Sequence, residues 1–69
     1  MAIKKINNNF ETMSKGDAVL YCYKHEQEFK TNATALGENA DNKFDFIVDG
    51  IENEYIKPNE LPDYGMNFN

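Results

Sequence analysis

The chain contains no arginine. The planar fork that grips phosphate or carboxylate through two parallel bonds is therefore missing, and lysine supplies every cationic side chain as a point charge. Basic residues number 7 against 12 acidic ones, a formal net charge of −5. That balance works against a sequence-independent grip on DNA or RNA, which needs basic groups to displace counterions, and against an anionic membrane surface. The single cysteine, Cys22, excludes an internal disulfide. The fold must then hold by packing, which suits a reducing compartment. No apolar run approaches the roughly 20 residues of a membrane span. Met1–Phe10 holds no apolar stretch of signal-peptide length, so the expected compartment is the cytoplasm and the sequon Asn32-Ala33-Thr34 is read as a chance match. Gly16, Gly37, Gly50 and Gly65 are isolated, so no glycine-rich loop is present to cradle phosphate.

The chemistry-bearing residues are equally sparse. Cys22 and His25 lie three apart, and no oxyanion-forming glycine cluster accompanies them. Zinc needs about four ligands, so one Cys and one His leave such a site half empty. Glu38, Asn39, Asp41 and Asp45 lack the bend glycine and the closing bidentate glutamate of a calcium loop. No catalytic residue, metal or cofactor is expected, and the chain is expected not to be an enzyme. Cys22 is expected to be a buried small hydrophobe.

What is present is aromatic and acidic. Its 69 residues suit one domain with a small core, for which oligomerisation is a natural source of added stability. Lys43–Pro62 organises the reading. Phe44, Phe46 and Val48 alternate with Asp45, Ile47 and Asp49, the period of a half-buried strand. Asp49-Gly50 is a hairpin signal, and Glu54-Tyr55-Ile56-Lys57 reads as the returning strand. Ahead of them, Ser14-Lys15-Gly16-Asp17 reads as a turn and Ala18–Tyr23 as a strand rich in β-formers. Lys24–Lys30 reads as an irregular connection, Thr31–Gly37 as a strand of small residues, and Glu38–Asn42 as a turn. Pro58 and Pro62 favour a 3₁₀ turn that carries Leu61 into the core. Tyr64, Met66 and Phe68 alternate as in a fifth strand or an edge that adds to a partner. At the other end, Ile3, Ile6, Phe10 and Met13 would line a helical face, but Asn7-Asn8-Asn9 disfavours a helix. This arm either covers the core or pairs with another subunit.

The expected architecture is all-β: an N-terminal arm over 1–13, a small barrel of four to five antiparallel strands with a 3₁₀ turn over 14–62, and a tail over 63–69. Lys15–Tyr21, Phe29–Gly37, Lys43–Ile56 and the closing Asn59-Glu60-Leu61-Pro62 resemble the small SH3-like barrels of the Tudor and KOW kind. In Tudor domains an aromatic cage holds methylated lysine or arginine by cation–π attraction. The resemblance implies such a cage at Tyr21 or Tyr23, Phe29 and Phe46.

The expected function is a non-catalytic binding module with a binding surface drawn from Tyr21, Tyr23, Phe29, Phe46, Tyr55 and Tyr64. Glu26, Glu28, Glu38, Asp41, Asp45, Asp49, Glu52, Glu54, Glu60 and Asp63 either serve solubility or steer the chain toward a basic protein partner. Small acidic chains of this sort are common among phage and mobile-element proteins that bind and inhibit a host factor. The alternative is a homo-oligomer that sequesters a small ligand such as a nucleotide signal. Tyr21, Tyr23, Phe29, Tyr55 and Tyr64 would then stack on the base, with Lys24, Lys30 and Lys57 on the phosphate. Nucleic acid and membrane are not expected partners.

Overall fold

The computed structural model describes residues 10–68. Its helices are α1 (Lys15–Lys24), α2 (Glu26–Ala35) and α3 (Ala40–Glu52), followed by a 3₁₀ segment at Pro58–Tyr64. No strand occurs among the described residues, which overturns the all-β SH3-like barrel and the Tudor and KOW resemblance together. The expected arm lies outside the described residues as far as residue 9.

Each misread stretch has a local reason to be helical. The Ser14 hydroxyl accepts the Asp17 backbone N–H at 3.1 Å, so Ser14-Lys15-Gly16-Asp17 caps a helix instead of turning into a strand. Ala18, Tyr21 and Cys22 then share one buried helical face. Lys24–Lys30 is no loop, because α2 resumes after a single residue, His25, at φ −109° and ψ 18°. The stretch read as a small-residue strand is the last turn of α2, whose inward side chains are Phe29 and Ala33. Gly37 ends it at φ +80°; its N–H bonds to Thr34 O at 2.9 Å and the Glu38 N–H bonds to Ala33 O at 3.0 Å. These two bonds form a Schellman closure, for which glycine is the favoured residue.

The supposed hairpin is α3. Asn39 caps it by accepting the Asn42 N–H at 3.1 Å. Phe44, Ile47, Val48 and Ile51 are buried, the spacing of a helical core face, whereas Phe46 is 61% exposed. Asp49-Gly50 therefore does not turn. The chain turns at Glu54, a non-glycine residue at φ +65°, where Tyr55 and Ile56 N–H both bond to Gly50 O at 2.8 and 3.0 Å. Ile56 thereby comes down onto Gly50: a Cβ there would lie 2.5 Å from Ile56 Cδ1.

The remaining chain closes the core. Pro58 opens the 3₁₀ segment, and the Lys57 N–H donates to Glu60 Oε1 at 2.7 Å. Leu61 and Met66 are fully buried among residues from all three α-helices. α1 and α3 run antiparallel. Lys15 Nζ reaches Glu52 O at 3.4 Å at the end of α3, while the Tyr23 and Phe44 rings meet near its start, 5.6 Å apart.

Two substitutions test this arrangement. Gly50→Ala, which stabilises an ordinary helix by about 1 kcal/mol, is expected to destabilise this protein by about 1–3 kcal/mol through the clash with Ile56. Glu54→Gly is expected to stabilise it by about 0.5–1 kcal/mol, since relief of the left-handed backbone outweighs an exposed ion pair to Lys15. Urea midpoints measure both; a raised midpoint for Gly50→Ala would refute the close seat of Ile56.

Candidate functional site

The aromatic residues singled out in the sequence divide between core and surface. Tyr21 and Phe29 are buried. The Tyr21 hydroxyl accepts the Phe68 N–H at 2.7 Å, and the Phe10 ring meets the Tyr21 ring edge-on at 5.4 Å. Phe29 packs 6.1 Å from Phe44. Tyr23 is 54% exposed and Tyr55 81% exposed. Only Phe46 and the half-buried Tyr64 are brought into ring contact with each other on the surface, at 6.2 Å. The cage implied by the Tudor resemblance is not assembled, because Tyr21 and Phe29 pack inward while Phe46 projects outward from α3.

Lys30 is likewise engaged within the chain. Its ammonium lies 2.8 Å from Glu26 and 3.0 Å from Asp41, above the Phe44 ring at 5.1 Å. The hydrogen bond to Glu26, then that to Asp41, raises its pKa, so the charge is fixed at every ordinary pH.

Cys22 and His25 do not form a dyad. Cys22 is fully buried, and burial pushes its thiol from 9.0 up to about 11. A thiol protonated at neutral pH is a weak nucleophile. His25 serves another contact: Nδ1 lies 2.6 Å from Glu28 Oε1, and the ring sits 4.6 Å from Tyr21 and 5.2 Å from Phe68. Near-parallel stacking on Phe68, at 17°, and the bond to the Tyr21 hydroxyl pin the tail to the α1–α2 junction. A shallow cavity of about 280 Å³ opens beside it, lined by Gln27, Glu28, Thr31, Asn32 and Phe68. Among the described residues no three His, Cys, Asp or Glu side chains gather to hold a metal ion. Glu38 of the expected turn is instead paired with Lys43 at 2.8 Å.

The most distinctive surface is the outward face of α3. Asp45, Asp49 and Glu52 are exposed and follow one another by four and three residues, so they form one row. None of them makes an ion pair among the described residues. The Asp49 carboxylate accepts only the Asn53 amide, at 2.9 Å. Lys43, the one lysine of α3, is turned to Glu38. Like charges one turn apart cost a helix about 0.2–0.5 kcal/mol per pair, so the row opposes folding slightly. Phe46, on the same helix, adds an exposed ring that leans toward Tyr64. Both rings and all three carboxylates were visible in the sequence. Their association was not, because the strand period split them between two faces.

No helix among the described residues is long and apolar enough to cross a membrane. No family model, curated protein or solved structure matches this chain.

Burial of Cys22 has a consequence at alkaline pH. Its folded pKa is raised, so the contribution is fully present below the ordinary value of 9.0 and is lost as pH rises through about 11. Tyr21, raised chiefly by burial, acts in the same direction. Stability is expected to fall by roughly 3 kcal/mol across that window on account of Cys22 alone. Cys22→Ala is expected to be less stable at neutral pH yet to decline less steeply between pH 9 and 11. Urea titrations at stepped pH measure the two slopes, and identical slopes would refute this linkage.

Proposed function

We propose that the chain is a non-catalytic binding module that holds a basic protein surface against the outward face of α3. The observation that carries this reading is the row Asp45–Asp49–Glu52, which makes no ion pair within the described residues, on the helix that carries exposed Phe46. Uncompensated carboxylates on a protein of net charge −5 attract a cationic surface over about a Debye length and orient it on approach. Phe46 and Tyr64 supply what charge alone does not. A ring at the centre of a contact is desolvated on binding and gives apolar area, and a lysine or arginine above it gains cation–π attraction. Occupancy covers the partner's cationic patch and so blocks whatever else that patch holds. The protonated, buried thiol of Cys22 favours binding over nucleophilic chemistry.

Immobilised protein exposed to lysate, with bound proteins identified by mass spectrometry, tests the reading when surface variants run beside the wild type. Asp45→Lys/Asp49→Lys and Phe46→Ala alter exposed positions and are expected to keep the helical circular dichroism. A basic protein retained by the wild type is expected to bind each variant at least about tenfold more weakly. Its retention is also expected to fall as salt rises from about 0.05 to 0.3 M. Equal retention by wild type and both variants would remove this function.

A further inference from the structure

We propose that two copies of this chain pair through the outward face of α1, antiparallel, about a two-fold axis near Leu20. α1 is apolar on two sides. Ala18, Tyr21 and Cys22 face the core, while Gly16 and Leu20 lie four apart on the far side, flanked by half-buried Val19 and by Tyr23, whose ring leans on Phe44 of α3 and stays 54% exposed. Leu20 is 68% exposed, and nothing lies within 4 Å of where a Gly16 Cβ would stand. The far side of α2, by contrast, carries Gln27, Glu28, Thr31 and Asn32, and that of α3 sets the single ring of Phe46 beside a row of acids.

The residues at the two ends of α1 say which occupant fits. Asp17 lies in the first turn and Lys24 in the last, about 10 Å apart along the axis, both exposed and in no ion pair among the described residues. A second α1 laid antiparallel brings its last turn beside the first turn of its partner. Lys24 then meets Asp17, the exposed side of the Tyr23 ring, which stays against Phe44, faces the bare backbone at Gly16, and Leu20 meets Leu20 at the axis. The two-fold repeats each of these contacts, so one face is complementary to itself. A parallel pair would set Asp17 against Asp17 and Lys24 against Lys24, which repel. The charge pattern therefore selects both the occupant and its direction. This pairing uses α1 alone and leaves the α3 face of each copy open, so it stands apart from the binding function proposed above.

Light scattering and sedimentation equilibrium on the full chain, from about 10 μM to 1 mM, test the proposal; an interface this small belongs to the weak class. Wild type is expected to pass from 8.0 kDa to twice that mass over this range. Leu20→Glu, at an exposed position, is expected to keep the same helical circular dichroism and to remain at the single mass throughout. Asp17→Lys and Lys24→Asp are each expected to weaken pairing about tenfold, since each change acts twice across the axis. The double variant Asp17→Lys/Lys24→Asp is expected to restore it. A wild type of single mass at 1 mM, or a Leu20→Glu variant that pairs like wild type, overturns the proposal. A double variant as weak as the single ones overturns the antiparallel arrangement.

Discussion

The contact of Ile56 with the uncovered backbone of Gly50 is the constraint on which this small structure rests. α3 supplies the central apolar face, but its partners α1 and α2 cover only part of it. The rest must come from the chain beyond Glu52, which leaves the helix pointing away. A left-handed residue at Glu54 and two N–H donors on Gly50 O bring it back, and the missing side chain lets Ile56 sit against the helix. Leu61 and Met66 can then fill the core, and Phe68 can reach His25. The same return places Tyr64 beside Phe46, so the reversal that completes the core also shapes the candidate surface.

Charge is distributed by a similar economy. Lys15, Lys30 and Lys43 are each drawn to helix ends or junctions, where they hold Glu54, Glu26 with Asp41, and Glu38. With those cations engaged at the joints, the carboxylates of Asp45, Asp49 and Glu52 are left without an ion pair among the described residues. The negative row is thus a by-product of where the structural ion pairs fall. The exposed pair Lys15–Glu54 adds little stability, whereas partly covered Lys30, with two carboxylates and a ring, ties α2 to α3 more firmly.

Two periods coexist in Phe44–Ile51, and this is why the sequence misleads. Phe44, Phe46 and Val48 fit a strand; Phe44, Ile47, Val48 and Ile51 fit a helix equally well. Choosing between them requires knowing that Phe46 is outside, and only the tertiary partners decide that. Ser14 and Asn39 cap helices and Gly37 ends one, but the same residue types also suit turns and strand ends, which is how Ser14–Asp17, Glu38–Asn42 and Thr31–Gly37 read beside the β-forming Ala18–Tyr23. Leu61 entering the core from a proline-bounded turn and a buried Cys22 were legible, because neither depends on helix or strand. For the surface, Phe46 and Tyr64 were named. They stood beside Tyr21 and Phe29, because aromatic character does not distinguish a core ring from an exposed one. The grouping of Asp45 with Asp49 and Glu52 needs the 3.6-residue period and could not be found without it.

The order in which core residues occur along the chain bears on how the protein matures. Among the described residues, Ile56, Leu61 and Met66 are the last buried ones to be synthesised, yet they close the face that Ile47 and Ile51 present. A nascent chain that has emerged only as far as α3 carries helices with their apolar sides open to water. Helical contacts form quickly, in microseconds to milliseconds, whereas a ribosome adds about 5–20 residues per second. Folding therefore waits on translation, and the interval before Met66 emerges is when this chain is most open to chaperones and to proteolysis.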